Sequence, residues 1–168
     1  MSGPTSVVAG YADVGRTEGD LVVGGGRATD GDLAHGHFFQ PTIFAGIAPM
    51  DRIGQEEIFG PMLAVIPVED YEAAMLALNQ TRYGLSSSIF TQDVNTAFRA
   101  MRDFETGLVY VNAGTTGAET HLPFGGWKET GNGHREAGHV ALDTYTEWKS
   151  IYVDFSGRLQ KAQIDNQP

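Results

Sequence analysis

Between Thr5 and Glu18 the apolar residues Val7, Tyr11 and Val14 recur at helical spacing, with Thr5 or Ser6 placed to cap the first turn and Gly19 to stop the last. The pattern predicts an amphipathic helix. Leu21-Val22-Val23 then runs into Gly24-Gly25-Gly26, a short strand that exits through glycine into a polar loop, and Phe38 to Ile47 reads as extended. Pro41 has no N–H to give to a ladder, so this stretch fits an edge or irregular strand.

The middle of the chain is more regular. Met62 to Ile66 is a continuous apolar run, and Glu69-Asp70 opens a helix that puts Tyr71, Ala74, Met75 and Leu78 on one face before Tyr83-Gly84 ends it. Leu85 to Phe90 is a second strand, Asp93 caps a helix carrying Val94, Ala97, Phe98 and Met101, and Leu108 to Val111 is a third strand. An α/β class with a parallel β-α-β-α-β unit follows, in which ligands tend to lie beyond the carboxyl ends of the strands. That points to the loop after Asn112. The loop, Ala113 to Gly133, is glycine-rich; Arg135 to Tyr145 is weakly helical; and Glu147 to Phe155 alternates as an exposed strand. Trp148, Ile151 and Val153 on such an edge invite pairing with another chain.

Composition narrows the classes. A chain of 168 residues, 41% hydrophobic and 19% charged, suits one globular domain with one core. It has no basic leader followed by an apolar stretch and no long apolar run, so a soluble, cytoplasmic protein is expected rather than a membrane one. A formal charge of -10 sets the chain against nucleic acid, since like charges would meet and few counterions would be released. The cysteine count of zero excludes disulfides, Cys-ligated zinc, iron–sulfur clusters and any thiolate nucleophile.

Three segments carry candidate chemistry. In Gln55-Glu56-Glu57-Ile58-Phe59-Gly60-Pro61 two carboxylates precede an aromatic and a Gly-Pro turn; a carboxylate there can grip ribose hydroxyls, but on spacing alone a solvated turn over a buried Phe59 is the preferred reading. The run Leu122-Pro123-Phe124-Gly125-Gly126-Trp127-Lys128 resembles a phosphate cradle yet matches neither nucleotide fingerprint, so tight turns at positive φ explain it better. His35 and His37 with His121 or His134 are the candidate metal ligands, without an accompanying acidic pattern, and surface loop histidines are the preferred reading. Ser86, Ser87 and Ser88 lie in a strand run with no nucleophile elbow.

Taken together, the segments resemble the aldehyde dehydrogenase superfamily from about Gly3 to Asp154. The likeness is carried by Glu18-Gly19 with Gly24-Gly25-Gly26, Phe39-Gln40-Pro41-Thr42-Ile43-Phe44, Glu56-Glu57-Ile58-Phe59-Gly60-Pro61, Tyr83-Gly84-Leu85, Val111-Asn112, Pro123-Phe124-Gly125-Gly126-Trp127-Lys128 and Gly131-Asn132-Gly133-His134-Arg135-Glu136. The resemblance implies that Glu57 hydrogen-bonds the nicotinamide ribose, that Phe59 packs beside the nicotinamide, and that Asn112 and Phe124 lie near the aldehyde tunnel. It implies also that Thr116-Gly117-Ala118-Glu119 is an anchor loop, with the backbone N–H groups of Gly117 and Ala118 holding the carboxylate of a semialdehyde. Within the family, Ala118-Glu119-Thr120-His121-Leu122-Pro123 with Ser156-Gly157-Arg158-Leu159-Gln160 resembles most the members acting on amino-acid-derived semialdehydes.

Family catalysis needs a cysteine thiolate, an oxyanion hole and a glutamate base, all of which the resemblance places upstream of this chain, as it does the Rossmann-like cofactor domain. Residues 1–147 thus correspond to the C-terminal half of the catalytic domain, 148–156 to an oligomerisation strand and 157–168 to a tail. No catalytic residue is expected here, and NAD or NADP would serve the parent enzyme while binding this chain weakly. Three readings follow: a silent portion of a dehydrogenase, one subunit of a split dehydrogenase, or a binding or assembly module using its C-terminal strand. Apolar surface around Val7, Tyr11, Phe38 and Phe39 is expected to face the missing half, so a homo-oligomer or pairing with that half is expected.

Overall fold

The computed structural model describes residues 4–158. Helix α1 (Pro4–Glu18) begins on a proline, which suits a first turn that has no acceptor for its N–H. Its buried stripe runs through Val8, Ala12 and Gly15, spaced by four and three, while Val7 is half exposed. Small residues on that stripe admit a close neighbour. A Cβ on Gly15 would lie 2.7 Å from the Phe44 ring.

Phe44 belongs to a three-stranded sheet ordered β1 (Asp20–Val23), β2 (Thr42–Ala45), β3 (Met62–Val65), with β1 antiparallel and β3 parallel to β2. Phe44, Ile47 and Ile53 form the core, with Tyr11, Val14, Ile58 and Met62 packed against it. The extended stretch around Pro41 is therefore no edge strand. Pro41 stops just short of β2, and the strand opens at Thr42, whose N–H donates to Pro61 O.

The two helices of the middle region form as expected, because each has a local start signal. Asp70 accepts from the Ala73 N–H at the head of α3 (Tyr71–Asn79), and Asp93 accepts from those of Asn95 and Thr96 at the head of α4 (Val94–Asp103). After α3 come β4 (Tyr83–Gly84) and β5 (Ser86–Ile89); β5 runs parallel to β6 (Leu108–Val111).

The expected continuous β-α-β-α-β unit is corrected at one point. Among the described residues β3 pairs with β2 and not with β5, so the chain carries two separate parallel crossovers, β2-α2-β3 through the short α2 (Arg52–Gln55) and β5-α4-β6. Strand periodicity fixes which residues share a face but does not choose the neighbouring strand. A further two-residue strand, β7 (Trp127–Lys128), lies inside the stretch expected to be loop and pairs antiparallel with β4.

Among the described residues after β7 only Leu142–Tyr145 (α5) is α-helical, preceded by a 3-10 turn at His139–Ala141. Glu147 to Phe155 forms no ladder with any described residue, and Trp148 and Phe155 are 88% and 97% exposed. A strand exists only with a neighbour, and this stretch has none among the described residues. Of the apolar residues expected to be bare, Val7 and Phe38 are half exposed, whereas Tyr11 packs on the core. The outer face of the first sheet also carries exposed apolar residues: Val23 and Leu63 flank the half-buried Ile43 in register, and Val65 continues the row. No helix among the described residues is long and apolar enough to cross a membrane.

Candidate functional site

The short helix α2 and the segment after it hold the two neighbouring carboxylates in different states. Glu56 is gripped: Arg52 Nε and Nη2 donate to its two oxygens at 3.0 and 2.9 Å, and the Tyr11 hydroxyl donates to Oε2 at 2.9 Å. The guanidinium and then the hydroxyl hold the Glu56 carboxyl below the usual range, and the same bond pushes the Tyr11 hydroxyl up. Glu57 is exposed and makes no side-chain hydrogen bond or ion pair among the described residues. Of the pair, only Glu57 is free to receive a ligand.

Glu57 borders a cleft of about 500 Å3 with Tyr83, Leu85, Glu129 and Thr130. Two residues on, Phe59 has a left-handed backbone (φ 54°) and presents 91% of its surface to solvent. It is thus not the buried aromatic of a solvated turn. Left-handed geometry in a bulky residue costs about 1–3 kcal/mol and persists only where its surroundings impose it.

A second cavity, about 520 Å3, opens between β6 and the following loop. Gly117, Ala118 and Phe124 line it together with Tyr110, Leu122 and Pro123. The Tyr110 hydroxyl donates to Gly117 O at 2.8 Å and so ties the loop to the strand. Tyr110 is a wall residue that sequence reasoning missed, since nothing in its strand position marks it. Leu85 borders the Glu57 cleft and also a smaller cavity against Tyr110, Gly117, Ala118 and Phe124, so the two regions meet across one side chain.

Asn112 lies in neither cavity. Its backbone is left-handed (φ 54°), and its carboxamide accepts from Thr91 N and donates to Thr91 O, fastening the ends of β5 and β6. Phe124 is set by a reciprocal pair of backbone bonds with Glu136. Behind it the backbones approach so closely that a Cβ on Gly107 would lie 1.7 Å from Gly125 O. Among the described residues no group of three His, Cys, Asp or Glu is gathered to hold a metal, and His35 lies in a 3-10 turn.

The aldehyde dehydrogenase family matches residues 4–151. This chain belongs to that family. An alpha-ketoglutarate semialdehyde dehydrogenase of Haloferax volcanii is 44% identical over 147 residues, and a probable aldehyde dehydrogenase of Mycobacterium tuberculosis 40% over 153. These alignments cover 86% and 90% of this chain but 30% of each relative. The chain therefore spans about a third of the length of the aldehyde dehydrogenases it matches.

In three dimensions it is similar to a Mycobacterium tuberculosis aldehyde dehydrogenase complexed with NAD+ (TM-score 0.85, 35% identity, 95% of this chain and 32% of that one). It is also similar to a Thermus 1-pyrroline-5-carboxylate dehydrogenase with bound NAD (TM-score 0.78, 38% identity, 83% and 26%). The mixed α/β architecture is that of part of an aldehyde dehydrogenase.

Proposed function

We propose that this chain supplies the C-terminal part of the catalytic domain of an NAD(P)-dependent aldehyde dehydrogenase and does not oxidise aldehydes by itself. In this reading Glu57 receives the nicotinamide ribose hydroxyls and Phe59 lies against the nicotinamide. Gly117 and Ala118 hold the carboxylate of a semialdehyde, and Phe124 borders its path, while Asn112 fastens the strand ends behind them. The observation that carries the reading is the contrast between Glu56, whose carboxylate is fully engaged, and Glu57, whose carboxylate is free at the mouth of a cleft beside an exposed aromatic.

A free carboxylate and a bare aromatic fit a ribose and a flat heteroaromatic ring. The cofactor, when bound, would accept hydride. The names of the Haloferax and Thermus relatives favour a semialdehyde or its cyclic precursor as the substrate class.

Absence of activity alone rests on chemistry. Attack on an aldehyde carbonyl in this family calls for a thiolate, and the chain has no cysteine. A serine without an adjacent base does not replace it. Cofactor affinity should be weak, because no adenosine contacts are expected from these residues.

The exposed Val23, Leu63 and Val65, and the Trp148–Phe155 segment, which pairs with no described residue, support pairing either with a dehydrogenase half bearing the cysteine or with a second copy. Purified chain mixed with NAD+ or NADP+ and a semialdehyde should give no rise in absorbance at the reduced-nicotinamide band. Adding a cysteine-bearing half should produce one. Reduction of cofactor by the chain alone would sink the reading.

A further inference from the structure

The segment that carries Glu57 and Phe59 is pinned to α1, α2 and the core at alternate positions. At 56 the carboxylate is held by Tyr11 and Arg52; at 58 the isoleucine packs on the Phe44, Ile47 and Ile53 core; at 60 the glycine sits so close to Val8 that a Cβ would lie 2.7 Å from Val8 Cγ2. With 56, 58 and 60 held on the packed side and Phe59 turned by its left-handed backbone, positions 57 and 59 are left facing outward. Glu57 and Phe59 are exposed accordingly.

Arg52 is itself fixed. Glu18, at the end of α1, accepts from the N–H groups of Arg52 and Ile53 at 3.0 and 3.1 Å, capping α2 from 34 residues away where Asp51 makes no side-chain cap. The Arg52 guanidinium also lies 5.8 Å from the Tyr11 ring centroid. Its planar fork meets both Glu56 oxygens, which a lysine could not do.

We infer that Tyr11 and Arg52 are positioning residues: by gripping Glu56 they hold the next carboxylate and the aromatic beyond it in the orientation that receives a nicotinamide ribose. The inference rests on the cofactor reading of Glu57 and Phe59. Neither residue touches the ligand. Loss of the grip lowers the fraction of chains with Glu57 correctly turned, and apparent affinity falls by that fraction.

The test uses the full chain and three variants, Tyr11→Phe, Arg52→Met and Arg52→Lys, with Glu57→Gln as the ligand-contact control. Tyr11→Phe removes one oxygen and leaves the ring in the core, so it keeps the test open should Arg52→Met unfold. Nitrogen-15 relaxation reports the order of the backbone at Glu57, Ile58 and Phe59, with β2 and β3 amides as the internal reference. Titration with nicotinamide mononucleotide reports binding.

The expected result is a fall in order parameter at residues 57–59 from the rigid range of about 0.85 toward 0.6, with β2 and β3 unchanged. Nicotinamide mononucleotide should bind at least about threefold more weakly. Arg52→Lys, which keeps the charge without the fork, should fall between wild type and Arg52→Met in both. Unchanged order at 57–59, or a loss spread evenly over the sheet, overturns the positioning role, as does lost order with unaltered binding. If the ligand binds neither wild type nor variants while order falls locally, the cofactor reading fails and the grip stands as a local ordering device only.

Discussion

Lys128 Nζ stands 2.8 Å from Glu105 Oε2 and also donates to the backbone oxygens of Asn79 and Thr81. One ammonium thus joins β7 to the C-terminal end of α3 and to the turn between α4 and β6. Cations are favoured at a helix C-terminus, and here the carbonyls have a dedicated donor. Lys128 adopts φ 53°, an uncommon conformation for a side-chain-bearing residue, which the tie helps to hold. Lys128→Met should cost about 1 kcal/mol in urea denaturation followed by fluorescence of the neighbouring Trp127, since the bonds are exposed. A cost near zero would mean that water replaces the ammonium without penalty.

Thr42 is 2% exposed and completes two bonds, accepting from Gly25 N and donating to Gln40 O, each at 2.8 Å. Thr42→Val keeps the shape and removes both, leaving the Gly25 N–H buried without a partner. The expected loss is about 1–3 kcal/mol, larger than for most isosteric changes. Thermal unfolding of the two chains side by side measures it.

Asp93 caps α4 through Thr96 and Asn95, and the Thr96 hydroxyl first, then the two amides, hold its carboxyl below the ordinary range. Its folded value lies below its unfolded one, so its contribution is complete above the unfolded pKa and disappears as the pH falls through the folded value. Asparagine caps about as well but does not titrate. Asp93→Asn should therefore leave stability near pH 7 almost unchanged and flatten its decline below about pH 4. An identical acid slope in both chains would show that Asp93 plays no part in it.

Tyr110→Phe removes the hydroxyl bond to Gly117 O without opening a core cavity. Global stability should change by less than about 1 kcal/mol, since the bond is exposed. The effect should be confined to the Thr116 to Glu119 loop, where backbone order should fall. In an enzyme assembled with a cysteine-bearing half, KM for a carboxylate-bearing semialdehyde should rise more than KM for an uncharged aldehyde. Equal changes for both substrates would remove the anchoring role of the loop.

What could be read from the sequence was what is encoded locally. Asp70 and Asp93 announce α3 and α4 within three residues of the bonds they make, and the apolar runs at 62, 85 and 108 become strands close to where periodicity puts them. Strand partners were not legible, because the same run could join either neighbour, and β3 pairs with β2. Glu147 to Phe155 has the alternation of a strand, but a ladder requires a second strand that the described chain does not contain. At the site, spacing alone cannot separate Glu56 from Glu57. The distinction comes from Tyr11, 45 residues earlier, and from Arg52 one helical turn before. Lys128 and Tyr110 gave no warning, since their roles depend on carbonyls brought near by the fold.

Phe59, with 91% of its surface in water, makes the site legible to calorimetry. Covering such a ring releases about 1.5–3 kcal/mol and, more diagnostically, lowers the heat capacity of the system. A ligand that meets only the Glu57 carboxylate would leave the heat capacity nearly unaltered, whereas one that also lies on the ring would lower it. The temperature dependence of the binding enthalpy therefore distinguishes a ribose held at one point from a nucleotide seated on its aromatic floor.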